Sequence, residues 1–348
     1  MRRLVEIFVA ACLYYSGLVK LACWLMRRSG PHLIILCYHR ARGENLRRHL
    51  LYLRRHYRVL PLQEALEELY TSPKEGKRGH DQRTPLVLTF DDGYYDSYSH
   101  GFVLARELRV PITIFLVPGY IESGNRFWWL EGDNLARRAQ VKVVVMEERT
   151  YQLDKAGERQ ALARAIDARL RHATSVAERE AFLVSVREML AIPSSVPIEE
   201  EALRPLTWAE AREMGESGWV SFGAHTMHHP ILAHLSCPEE VRREVEECRG
   251  VLEQQLGHPV RVFAYPVGKT EHIGNESLQA VQQAGYAWAV TTIPGVNTLQ
   301  SDPYQLRRVM GDVSRHWLVM AAKTSGVRHL FSPLWKWKSP MTSARGRR

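Results

Sequence analysis

The sequence predicts an α/β fold of parallel strands, closed into a barrel-like form and not left as an open sheet. Short β-branched apolar runs alternate with helical patterns along most of the chain, giving about seven strand–helix repeats. At 348 residues the chain can bury a full core. The most reactive side chains also fall where predicted strands end, the place at which parallel α/β folds hold their chemistry.

The first element is apolar. Ile7 to Val19 carries no charge, and Lys20, "LACWLM" and the pair Arg27, Arg28 follow. A spanning helix needs about 20 mainly apolar residues, so residues 1–30 are expected to form a membrane-associated helix, spanning or interfacial. No A-x-A-type cleavage site follows it cleanly, which argues against a signal peptide. The expected location is the inner (cytoplasmic) membrane. If the helix spans, the nine Lys/Arg from Arg27 to Arg58 keep the main domain cytoplasmic by the positive-inside rule. Free thiols agree with that side but do not fix it.

The main domain is expected over residues 31–330. His32–His39 reads as a strand, and "LRRHLLYLRRHY" and "ALEELY" as helices. Thr71–Pro85 is a polar loop. "LVLTF" is a strand, a helix follows near Ser97–Leu108, and Pro111–Pro118 is the next strand. From about 137 to 196 the rhythm breaks into an Ala-, Arg- and Glu-rich stretch, read as a helical insertion. It resumes with "TWAEAREMGESG" (helix), "WVSFGAH" (strand) and a helix between Pro238 and Gly257. "RVFAYP", "ESLQAVQQAGY" and "AWAVTT" then give strand, helix and strand. Residues 331–348 form a basic tail.

Charge placement excludes one function class. Net charge is +9, but the first 58 residues carry twelve Lys/Arg against two acids, and residues 313–348 carry eight against none. The middle is therefore net −9, unlike a nucleic-acid-binding domain with a basic reading face. Basic ends suit an anionic membrane surface. The five cysteines, Cys12, Cys23, Cys37, Cys237 and Cys248, are odd in number and lack a CxxC. That pattern argues against a disulfide framework or a cysteine zinc site.

Two neighbouring carboxylates, Asp91 and Asp92, close the strand "LVLTF", although adjacent negative charges repel. His225 closes "WVSFGA", and His229 follows four residues on; in a helical turn the two would share a face. Two imidazoles and one carboxylate form a common catalytic zinc ligand set with a position left for water. A cation held by Asp92, His225 and His229 would offset the repulsion and leave Asp91 free as general base. Gly93 lets the backbone approach closely. Asp-Asp-Gly alone is a common turn, and His-x3-His alone is often a surface pattern; their conjunction at strand ends carries the reading. His228 is expected to face away. Trp128 and Trp129 suit sugar stacking or core packing equally.

"TFDDGY" (Thr89–Tyr94), "HTMHH" (His225–His229) and "FAYPVGK" (Phe263–Lys269) resemble the successive motifs of the NodB-homology polysaccharide deacetylases, carbohydrate esterase family four. "CYHR" (Cys37–Arg40), "TWAEAREMGESG" (Thr207–Gly218) and "GVNTLQSDPYQLRRV" (Gly295–Val309) extend the similarity over residues 33 to 325, the insertion excepted. The pattern is most similar to the branch linked to exported polysaccharides. The resemblance implies a deformed (β/α)7-type barrel that removes N-acetyl groups from an amino-sugar polysaccharide with a divalent metal, Zn2+ by ligand type. It implies Asp91 as base, Asp92, His225 and His229 as metal ligands, and Thr226 as the small hydroxyl residue supporting them. Tyr265, Pro266 and Val267 would line substrate, with a backbone N–H near Val267 facing the oxyanion.

Departures accompany it. The arginine that many members carry two residues before the motif proline is Ala264 here, and Arg308 is the candidate replacement. Val267 stands where an aromatic is usual. The late Leu-x-His motif is not evident, and His316 is the candidate for its acid. Implied partners are the N-acetylated polymer, the membrane surface and other polysaccharide synthesis or export proteins. The rival readings are a catalytically inactive glycan-binding or scaffold protein on the same barrel, and hydrolysis of a small non-sugar amide.

Overall fold

The structure, a computed structural model, describes residues 2–71, 81–193 and 200–327. The expected basic tail lies outside the described residues, as does most of the expected loop after Thr71. Seven strands form the barrel: β1 (His32–Tyr38), β2 (Pro85–Phe90), β3 (Ile112–Leu116), β4 (Val220–Ala224), β5 (Val262–Ala264), β6 (Trp288–Pro294) and β7 (Leu306–Met310). Each pairs in parallel with the next, and β7 pairs with β1, so the ring closes.

The ring is uneven. β4 and β5 share one registered pair, Ala224 with Phe263. Between β2 and β3 the pairing covers only Thr89 and Phe90 of β2, and the short strand Arg58–Val59 takes the lower edge at Pro85 and Leu86. On the other side, Asn297–Thr298 runs antiparallel along the start of β1. The β6–β7 register also slips, with Leu306 opposite Val290 but Arg308 opposite Pro294. Such bulges re-aim side chains.

Alternation along the strands divides the core in two. Leu33, Ile35, Val87, Phe115, Ala264, Val290 and Leu306 form one cluster with helix Leu62–Tyr70. Ile34, Leu36, Leu86, Leu88, Ile112 and Ile114 form the other, under the outer helices. The first set lines the barrel. Gly223 sits opposite Phe115, and a Cβ there would come within 2.4 Å of its ring, so this position must stay bare.

The expected single N-terminal helix is two, α1 (Arg2–Tyr15) and α2 (Leu18–Arg28), broken at Gly17 (φ +82°) and bent by 65°. Glycine tolerates that left-handed backbone. Among the described residues no single helix is long and apolar enough to cross a membrane.

The insertion is not wholly helical. Val143–Met146 pairs with Arg149–Gln152 as an antiparallel hairpin, and its alternating exposed and buried residues are the period-2 signal that the helical reading passed over. Then come α3 (Glu158–Arg171) and α4 (Val176–Met189). Leu162, Ile166 and Leu183 pack with Tyr94, Phe127 and Trp128 in a separate cluster. α5 (Pro238–Leu256) covers β4, and α6 (Trp317–Thr324) receives α1.

Candidate active site

The inward line of β2, Val87 and Thr89, continues to Asp91, whose N–H donates to Tyr38 O (2.9 Å) and prolongs the ladder with β1. Asp92 then leaves the strand at φ +76° and Gly93 follows at +74°. The two acids thereby diverge. His225 likewise extends β4, its N–H on Leu116 O (3.0 Å), and its Nδ1–H donates to Ala264 O at 2.6 Å. That bond fixes the tautomer and leaves Nε2 bare, 3.5 Å from Asp92 Oδ1. His229 arrives by a left-handed route and not by a helical turn, since Thr226 and His229 have φ of +62° and +56°. Thr226 Oγ1 accepts from His229 N–H (2.9 Å), and His229 Nε2 lies 3.6 Å from the same Asp92 Oδ1.

These three side chains are buried. Spacings of 3.5 and 3.6 Å are long for hydrogen bonds. They match the edge of a tetrahedron around a cation with ligand bonds near 2.1 Å, about 3.4 Å. Burial, with His225 and Arg179 nearby, pushes His229 well below the usual imidazole value, so it is the neutral form that metals take. The residues present fit a divalent cation.

Asp91 is held apart from them. Burial alone would push its carboxyl up, but Arg308 overrides this and keeps it well below the usual carboxylate range. Arg308 forks onto it, NH1 to Oδ1 at 2.7 Å and NH2 to Oδ2 at 2.8 Å. Arg308 is wholly buried, and its Nε–H donates to Thr291 O (2.6 Å), a carbonyl inside the β6–β7 slip. Cys37, His39 and Asp91 also lie close enough to hold an ion. We favour the Asp92 group, because the Arg308 fork occupies Asp91 and burial pushes the Cys37 thiol well up, away from thiolate.

Tyr265 points elsewhere. Alternation turns it outward with Phe263 and Tyr286, so the structure does not bring its side chain to the four residues. Pro266 and Val267 follow β5 at the mouth. Val267 has φ +59°, its carbonyl accepts from Thr292 Oγ1 (2.7 Å), and its N–H makes no hydrogen bond among the described residues. His316 Nδ1 accepts from Leu318 N–H (3.3 Å) at the start of α6, and its ring lies beside Trp317, not at the site. His228 binds Glu244 instead, Nδ1 to Oε1 at 2.7 Å. Trp128 is core, yet its Nε1–H donates to His229 O (3.0 Å); Trp129 packs 4.2 Å from the His229 ring and donates to Tyr94 Oη (2.6 Å).

His39 was missed. Its Nε2 lies 3.9 Å from Asp91 Oδ2, on a side chain 44% exposed. The available signal was its position at the end of strand "HLIILCY", the same logic that marked the acids.

Four of the eight non-glycine residues with positive φ among those described, Asp92, Thr226, His229 and Val267, stand at this one site. Strain so concentrated is characteristic of functional centres. Fold and site thus define a seven-stranded parallel barrel with an O,N,N cation cradle and a separately ionised carboxylate at its mouth.

A family profile described as polysaccharide deacetylase matches residues 78–289. The chain belongs to that family. A Bacillus subtilis (strain 168) protein, YxkH, whose name places it there too, is 30% identical over 104 residues; this segment is 30% of the chain and 36% of that relative. Among solved structures, the Streptococcus pyogenes deacetylase PplD superposes with TM-score 0.54 at 17% identity, covering 84% of this chain and 99% of that one. IcaB from Ammonifex degensii gives 0.54 at 19%, covering 85% and 98%. The BpsB deacetylase domain from Bordetella bronchiseptica gives 0.51 at 15%, covering 81% and 96%. These likenesses establish the barrel.

Proposed function

We propose that the protein is a metal-dependent deacetylase that hydrolyses N-acetyl groups of an amino-sugar polysaccharide, of exopolysaccharide or cell-envelope type. The observation that carries this reading is an ionised Asp91, forked by Arg308, beside the convergent Asp92, His225 and His229. Those three would hold the cation, zinc by ligand type. When bound, the cation supplies Lewis-acid polarisation and acidifies water.

The chain's own groups do the rest. A carboxylate offers about four lone-pair directions, so Asp91 can accept a proton from water while Arg308 keeps two of them. The fork fixes its aim. The N–H of Val267, which follows β5 at the mouth, is the donor we assign to the carbonyl oxygen as it gains charge. Acetate departs, and the sugar nitrogen needs a proton. We assign that proton to His39, half-exposed beside Asp91, and not to His316, which lies at the start of α6.

The inactive-scaffold reading predicts no need for an ionised carboxylate buried at a cation cradle. Purified protein reconstituted with Zn2+ should release acetate from N-acetylglucosamine oligomers. His225→Ala and His229→Ala should lose both bound metal and acetate release. Full turnover in either variant would end this reading, and metal binding without turnover in the wild type would favour the scaffold.

A further inference from the structure

Seven of the fourteen exposed large apolar side chains among the described residues sit on α1 and α2. On α1, Leu4, Phe8 and Tyr15 recur at helical spacing as one outward stripe; on α2, Leu21, Trp24 and Leu25 do the same. The inward faces are apolar as well. Ala10 and Ala22 are buried with Leu318, Val319 and Ala322 of α6. A helix apolar on both sides needs two apolar neighbours. The barrel provides one.

Length decides the geometry of the other. α1 has 14 residues and α2 has 11, hence about 21 Å and about 17 Å, against a hydrocarbon core of about 30 Å. Both are tied to the barrel, α1 by the ion pair of Glu6 with Arg315 and α2 by Cys23 Sγ against Tyr57 Oη (3.8 Å). They are therefore built to lie in an interface.

Charge selects the partner. Lys20, Arg27 and Arg28 are exposed on α2, which carries no acid, and the Arg28 guanidinium sits 4.0 Å over the Trp24 ring. Between α2 and the barrel runs a cleft of about 480 Å3, walled by Tyr14, Trp24, Tyr52 and Tyr57 with Lys20 and Arg27 among its lining. Amphipathic aromatics and cations around an apolar stripe suit phospholipid headgroups.

We infer that α1 and α2 form an in-plane docking surface for an anionic phospholipid bilayer, with the catalytic mouth beside that surface and clear of the lipid. The two helices run along the flank of the barrel: α2 hands the chain to the start of β1, whereas α1 packs on α6 and pairs Glu6 with Arg315, beyond the carboxyl end of β7. Asp91 and His225 stand at the carboxyl ends of β2 and β4. The lipid surface serves as a foothold, and polymer enters the mouth from the side.

The full chain should float with phosphatidylglycerol-containing vesicles much better than with pure phosphatidylcholine vesicles, lose the difference in high salt, and come off in alkaline carbonate. Phe8→Glu with Trp24→Glu, both at exposed positions, should weaken binding about tenfold or more without altering far-ultraviolet circular dichroism or the urea midpoint. Lys20→Gln with Arg27→Gln and Arg28→Gln should erase the preference for the anionic lipid. With the native exposed cysteines replaced by serine, a fluorophore at Leu21→Cys should be quenched by spin-labelled lipid and one at Ser123→Cys should not. Four outcomes overturn the inference: no flotation, equal flotation of the variants, retention through carbonate (a spanning anchor), or a lipid-free dimer that Phe8→Glu dissociates. Quenching at Ser123→Cys overturns the orientation.

Discussion

Replacing Arg308 by methionine keeps the volume and removes the fork. Asp91, 1% exposed, is then a buried carboxylate without its counter-charge. Breaking one side of a buried pair costs about 3–5 kcal/mol. In urea this is a midpoint shift of about 1 M or more. Removing both charges in the Asp91→Asn/Arg308→Met double variant leaves no stranded ion, so stability should return most of the way. The cycle should give a coupling of about 2 kcal/mol or more.

The pH dependence carries a sign that a packing defect lacks. In the wild type the folded Asp91 value is depressed, so its contribution is present above the unfolded carboxylate value and lost as pH falls through the folded one. In Arg308→Met the upward push of burial is opposed only by the weaker pull of His225 and His39, and the folded value rises above the unfolded one. The deficit should then be greatest near neutrality and shrink on acidification towards the unfolded carboxylate value. The measurement is urea unfolding of metal-stripped protein at neutral and mildly acidic pH. A deficit under about 1 kcal/mol, or one that is flat with pH, refutes the reasoning. Arg308→Lys should restore charge without the two parallel bonds, and so recover stability better than acetate release.

Three further outcomes follow from the same geometry. Trp128→Phe keeps the ring but leaves His229 O without its donor; stability should fall by about 1–3 kcal/mol and zinc affinity by about tenfold, read by competition with a chelating dye. Gly223→Ala places a methyl against Phe115, which lies near both His225 and Arg308; a loss of about 1–3 kcal/mol in thermal or urea unfolding is expected, with weakened metal binding. His49, buried between Tyr38 Oη and Arg315 O, is pushed down to about 4 by burial against the raising pull of that carbonyl. The unfolded chain binds a proton there before the folded one does, so stability should fall by about 3 kcal/mol as pH drops from 6.5 to 4, and His49→Gln should flatten that slope.

Much of this was legible in the sequence for a physical reason. Acids are poor strand residues, so Asp91 and Asp92 at the end of "LVLTF" had to be explained by something beyond local structure. The histidines closed another strand end, and parallel barrels gather such ends on one rim. The route to convergence was not legible. A helical turn was the economical way to align His225 with His229, whereas the backbone uses left-handed Thr226 and His229, conformations that propensity disfavours and only a surrounding site sustains. The hairpin at Val143–Gln152 was lost for a similar reason, because a helix-rich neighbourhood masked four residues of alternation.

Arg308 is the residue on which sequence and structure meet least directly. Alternation along β5 turns Ala264 into the barrel and Phe263 and Tyr265 outward. Ala264 is thus the inward position from which a long cation could have reached the base, and it is too small to do so. β7 lies two strands further round, and in regular register its arginines would not be singled out by any pattern in "LRRVM". The slip between Val290 and Pro294 changes that: it exposes Thr291 O to Arg308 Nε and aims the guanidinium at Asp91, while neighbouring Arg307 stays exposed. A missing charge on one strand is therefore made good by irregularity in another. Closing that two-residue slip by deleting Ile293 and Pro294 should cost the fork and acetate release even though Arg308 remains, and a fully active deletion variant would refute this account of how the guanidinium is aimed.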